Sequence, residues 1–97
     1  MNKFDQTKMI LKARKIQKEL AKKIITIEKG NGAVKVEING EQKIKKIKLD
    51  KDLINLNELD DLEIWLEDAI REAVSESQKL AASEMQPMMG ALSSLGF

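Results

Sequence analysis

Two groups of cations are the residues of this chain whose type and spacing could do chemistry. Lys8, Lys12, Arg14, Lys15, Lys18, Lys22 and Lys23 fall in the stretch TKMILKARKIQKELAKK, where Glu19 is the only acid. Lys43, Lys45, Lys46 and Lys48 follow in KIKKIK. Cations spaced along one element neutralise phosphates, and each contact releases counterions without reading a base. The residues that add base readout are sparse: there is no Tyr or His, one Arg lies in the basic stretch, and Phe4, just ahead of it, is the one aromatic nearby. This pattern favours a duplex polyanion gripped through its backbone. A competing reading is that the lysines solubilise a helix and pair with acidic neighbours, and composition leaves both open.

Other chemistry finds little support. With no His and no Cys, most metal sites and the usual nucleophile pairs are excluded, as are disulfides. The acids between Asn57 and Asp68 lack the alternating ligand spacing and central glycine of a cation loop, so they read as a solvated helix face. Glu67 and Asp68 point about 100° apart on a helix, so at least one of them faces water. No enzyme, cofactor or small-molecule substrate is expected.

The net charge of +1 hides a division. Residues 1–48 hold 14 Lys/Arg and 5 Asp/Glu, whereas residues 49–97 hold 3 and 11. A partner meets a local field and not a total. The two halves also attract one another.

The elements that must position these charges follow from periodicity. Met9, Ala13, Ile16, Leu20 and Ile24 make one narrow apolar seam, which predicts a helix from about Phe4 to Lys22 packed on one partner helix. The lysines fall on its far side, and Leu11 and Phe4 break the pattern from within that side. Lys23 to Ile27 is β-branched and short. Gly30-Asn31-Gly32 marks a turn, and Val34, Val36 and Ile38 alternate with charged residues as a half-buried strand. Asn39-Gly40 signals a two-residue hairpin turn, followed by a strand from Gln42 to Leu49. With that turn Ile44 lands on the wrong face. Either the hairpin tip overhangs the core or a bulge near Lys45-Lys46 corrects the register, and an overhanging tip is the expectation. Leu53 and Ile54 are expected to tuck inward. Asn57 is the expected cap of a last helix over 57–86, with Leu59, Leu62, Leu66, Ala69, Ile70, Ala73, Ser77 and Leu80 buried. Small residues there let another backbone approach closely. Pro87 is expected to end it, leaving residues 87–97 as a flexible tail.

The fold class expected is therefore α+β in one domain spanning 1–97: a basic helix (1–22), a three-stranded antiparallel sheet (23–49) and a long helix. Apolar residues make up 42% of 97, too few for long helices to bury alone, so a homodimer is expected. No apolar run is long enough to span a membrane and no secretory signal is present, which suggests a cytoplasmic protein.

The run GAVKVEINGEQKIKKIKLD, Gly32 to Asp50, resembles the central hairpin of the small bacterial nucleoid-associated proteins of the YbaB/EbfC family. LEDAIREAV, Leu66 to Val74, resembles that family's second helix. KMILKARKIQKEL, Lys8 to Leu20, resembles its first, and Met88 to Phe97 its Met/Gly/Leu-rich ending. The resemblance covers nearly the whole chain in the same order. It implies a tweezer-like homodimer whose helices project as arms, double-stranded DNA bound with limited sequence preference, and a role in the nucleoid. Carried to this chain, it implies contacts from Lys8, Lys12, Arg14 and Lys15, with Lys79 on the last helix as a lesser candidate. Lys18, Lys22, Lys45 and Lys46 join them from the basic stretches. The chain departs from the family pattern in having few helix-one glutamines (Gln6, Gln17), and in Trp65, Glu72 and a strongly acidic last helix. Acid beside an arm repels phosphate. The alternative function is a protein-interaction scaffold that does not touch DNA.

Overall fold

A computed structural model describes residues 3–94 of the chain. Helix α1 spans Lys3–Lys22, strands β1, β2 and β3 span Ile24–Lys29, Val34–Asn39 and Ile44–Leu49, and helix α2 spans Leu59–Ser94 after a short 3₁₀ turn at Leu56–Glu58. The sheet is antiparallel in the order β1-β2-β3. This is the helix, sheet and long helix read from the sequence.

The core forms where α2 lies on one face of the sheet. Val34, Val36 and Ile38 of β2 are fully buried against Ala69 and Ala73 of α2, and Ile25, Ile27, Leu62, Trp65, Leu66 and Ile70 close the edges. Alanine at 69 and 73 and serine at 77 bring the helix backbone close to the β-branched row of β2. At Gly30, in the β1–β2 turn, φ is +63° and an added Cβ would lie 2.6 Å from the Trp65 ring. Only glycine satisfies both the backbone and the aromatic lid there. Leu53 and Leu59 do not tuck inward as expected: they are 48% and 47% exposed.

The β2–β3 connection corrects two expectations. Asn39-Gly40 is not a two-residue turn. Asn39 ends β2, its backbone N–H donates to the Lys43 carbonyl, and its side-chain oxygen accepts from the N–H groups of Glu41 and Lys43. Gln42 takes the left-handed conformation (φ 62°). The longer turn moves the register so that Val34 faces Leu49 and Val36 faces Ile47, while Ile38 faces Ile44. The shift between Glu37 and Ile38 leaves Lys45 as the extra residue of a bulge. The bulge, and not an overhanging tip, returns Ile44 to the apolar face.

α1 ends at Lys22 as expected, but its seam and both ends of α2 differ from expectation. The apolar seam of α1 stops at Leu20, because Ile24 already belongs to β1 and is 49% exposed. Asn55, not Asn57, caps the turn into α2, accepting from the Asn57 N–H at 2.9 Å. Residues 87–94, expected as part of a flexible tail, are helical: α2 continues through Pro87 to Ser94, and Leu95 to Phe97 lie outside the described residues. A proline removes one intrahelical hydrogen bond. Here Pro87 and Met88 stand across a cleft from Met9 and Ile16 of α1.

The molecule measures 64 × 21 × 14 Å. Six-residue strands span roughly 20 Å, and α2 rests on the sheet from Leu62 to about Ser77. Its last 17 residues run roughly 25 Å further. Beyond the sheet α2 meets α1 running the opposite way, with Met9 near Met88 at one end and Lys23 paired with Glu84 nearer the sheet. A body and a two-helix arm result.

Candidate nucleic-acid interface

The base of the arm is held by polar groups that the charge pattern did not reveal. Ser77 Oγ donates to the Asn39 carbonyl at 2.6 Å and accepts from the backbone and side-chain N–H of Gln42, both at 3.1 Å. Asn39 Nδ2 reaches the Ala21 carbonyl at 3.2 Å, and the Gly40 N–H donates to the Leu20 carbonyl at 2.8 Å. These bonds tie the end of α1, the hairpin turn and the middle of α2 at one point. Every buried side-chain polar atom among the described residues has a partner. A Cβ at Gly40 would lie 2.7 Å from Leu20 Cδ2 and 2.9 Å from its carbonyl oxygen, so glycine lets the helix seat on the turn. The one signal for this junction is a serine standing in the alanine stripe of α2.

From that base α1 presents its cations to solvent. Met9, Ala13, Ile16 and Leu20 face inward, and Lys8, Lys12, Arg14, Lys15, Lys18 and Lys22 are all exposed. None of these six forms an ion pair among the described residues. Lys12 and Lys15 stand on the rim of a cleft of about 340 Å³ between the helices, floored by Met9, Ile16, Pro87 and Met88.

The other sequence candidates are placed apart from this row. Lys45 occupies the bulge, and Lys46 lies opposite Glu37 on the sheet face turned away from α2; both are exposed. Lys79 is exposed on α2 and pairs with Glu76 at 3.4 Å. Such surface pairs are weak and leave the cation available.

The acids occupy the body. Asp60 to Glu76 lie on the part of α2 that covers the sheet. Glu72 binds Lys29 of β1 at 2.5 Å, and Glu67 binds Arg71 at 2.5 Å within the helix. The Glu72 carboxylate, by its hydrogen bond and then by its charge, raises the Lys29 pKa above the ordinary lysine value. Past Ser77 the only charged residues of α2 are Lys79 and Glu84, and Glu84 is taken by Lys23. Lys3 to Lys22, by contrast, carries seven cations against Asp5 and Glu19. Of the eleven acids in residues 49–97, Glu84 is the one that stands beside the arm.

Two further features bound what the surface can do. Among the described residues no cluster of His, Cys, Asp and Glu could hold a metal ion, and no helix is long and apolar enough to cross a membrane. In addition, α2 covers β1 and β2 and leaves the β3 part of the same face open. Ile44, Ile47 and Leu49 there are 42%, 44% and 45% exposed.

Comparison with known proteins gives consistent matches. A model described as the YbaB/EbfC DNA-binding family matches residues 1–92. A nucleoid-associated protein of Chloroflexus aggregans is 35% identical over 82 residues, which cover 84% of this chain and 82% of that protein. One from Dictyoglomus thermophilum is 31% identical over 88 residues, covering 87% and 85%. Among solved structures, an uncharacterized protein from Helicobacter pylori superposes with a TM-score of 0.78 over 87% of this chain and 88% of that one. At 19% identity that likeness shows the fold alone.

Proposed function

The chain belongs to the YbaB/EbfC DNA-binding family, and on that footing we propose that it is a nucleoid-associated protein that binds double-stranded DNA as a homodimer. Lys8, Lys12, Arg14 and Lys15 of α1 are the main phosphate contacts. Lys18 and Lys22 extend the row toward the body, Lys45 and Lys46 supply the hairpin's share, and Lys79 adds a lesser one. Residues 1–97 act as one unit. Because these groups grip phosphates, sequence preference is low and the role is nucleoid organisation and gene regulation.

The observation that carries this reading is the sorting of charge: six cations with no ion pair among the described residues line α1, and the acids from Asp60 to Glu76 are held on the body beside the sheet. The open apolar row of Ile44, Ile47 and Leu49 supports the homodimer. A contiguous apolar edge on a small protein is covered in the functional assembly. A second copy doubles the arms and so the phosphates within reach.

The test is binding to a random-sequence duplex from roughly 50 to 200 mM salt. Affinity should fall steeply with salt. In the Lys8→Ala/Lys12→Ala/Lys15→Ala variant it should weaken alike on every sequence, with the log–log slope shallower by about 0.9 per lost contact. An unchanged slope in the folded variant would move the contact off α1. No binding by the wild type at the lowest salt would turn the reading to a protein-interaction scaffold.

A further inference from the structure

One side chain on the arm is not accounted for by phosphate binding. Leu11 is 57% exposed, more than Ile10, the other large apolar residue on α1's open surface among those whose burial is described. At about 100° per residue it stands about 170° from the centre of the seam formed by Met9, Ala13, Ile16 and Leu20. It is therefore the point of the arm furthest from α2. Lys8 and Lys15 lie on one side of it and Arg14 and Lys18 on the other, all exposed. Ile10, 54% exposed, sits on the flank between Gln17 and Arg14, at the border of the cationic face and with cations on one side only. Among the residues of α1 whose burial is described, Leu11 is the apolar centre of the cationic face.

A polyanion drawn to those cations must cover this leucine. An α-helix fits the major groove of B-form DNA, with its flanks toward the two phosphate walls and its outermost line toward the base edges. The apolar group offered on those edges is the thymine 5-methyl. We propose that Leu11 is a base-contacting residue that packs on thymine methyls in the major groove while the surrounding cations hold the phosphates. This rests on the DNA-binding reading and deepens it, since it gives a backbone-gripping arm a mild preference for thymine.

The experiment compares two duplexes of the same A·T-rich sequence, one with thymine and one with 2′-deoxyuridine throughout, which deletes only the methyl. Wild type should bind the uracil duplex about two- to fourfold more weakly, the scale of a covered methyl group. Leu11→Ala should bind both equally, with the salt slope of the wild type, and Leu11→Met should restore the difference. As an exposed residue, Leu11 can be replaced without loss of fold. Wild type that binds both duplexes with equal affinity would overturn the contact and leave the DNA-binding reading intact. A uracil penalty equal in wild type and Leu11→Ala would assign the effect to DNA shape, and would overturn it too. Absence of binding to either duplex would remove the DNA-binding reading and the contact with it.

Discussion

The two halves of α2 are built on different terms. Its first half lies on the sheet, buries Ala69, Ala73 and Ser77 completely, and carries a row of acids on its outer side. Its second half lies against α1, carries only Lys79 and Glu84 as charges, and leaves a cleft beside Met88. Close packing of small residues makes the first half a rigid floor for the sheet. The second half lends its helix to hold α1 away from the body. The difference shows why a neutral chain can present a cationic limb: most of the compensating acid sits on the body beside the sheet, away from the cationic face of α1.

That contrast can be broken most severely through the core. Ile38→Ala should cost roughly 2–5 kcal/mol in urea unfolding, because its site is fully enclosed and cannot collapse. Met88→Ala, at a half-buried place beside an open cleft, should cost well under half as much. Equal costs would mean that the arm is packed like the body. A second change separates assembly from binding. Ile47→Lys should convert the dimer to a folded monomer by sedimentation while the single arm still binds DNA, with a shallower salt slope. A variant that stays dimeric would move the interface away from the open edge of the sheet. The smallest effect belongs to the ion pair that anchors acid to the body. Glu72→Gln should return the Lys29 titration, followed by NMR, toward its ordinary position. Because the native pKa is raised, the pair's contribution is fully present below the unfolded lysine value near 10.5 and is lost as pH rises through the folded one. Stability near neutral pH should therefore be flat with respect to this group.

Much of this design is legible in the residues. Steps of three and four from Met9 to Leu20 give α1, and alternation from Val34 to Ile38 gives β2. The stripe of Leu62, Leu66, Ala69, Ile70 and Ala73 gives the packed face of α2. The cations of α1 are readable too, because the same period that gathers the seam drives the lysines to the other side. The turn after Asn39 is less legible. An Asn-Gly pair predicts a tight turn wherever nothing else binds it, and here Asn39 is engaged by Ala21, Glu41 and Lys43. The sequence puts Lys45 and Lys46 on a strand, but which of them forms the bulge depends on that turn.

The chain by itself determined the order of elements, the faces they bury and the uneven distribution of charge, because each follows from the local geometry of helix and strand. Tertiary structure decided the register of β3, the passage of α2 through Pro87, the seating of Asp60 to Glu76 on the body beside the sheet and the junction of Ser77 with Asn39. Each of those depends on partners far apart in sequence. A period of 3.6 or 2 residues says which face a side chain takes, but carries no information about which distant group will meet it there.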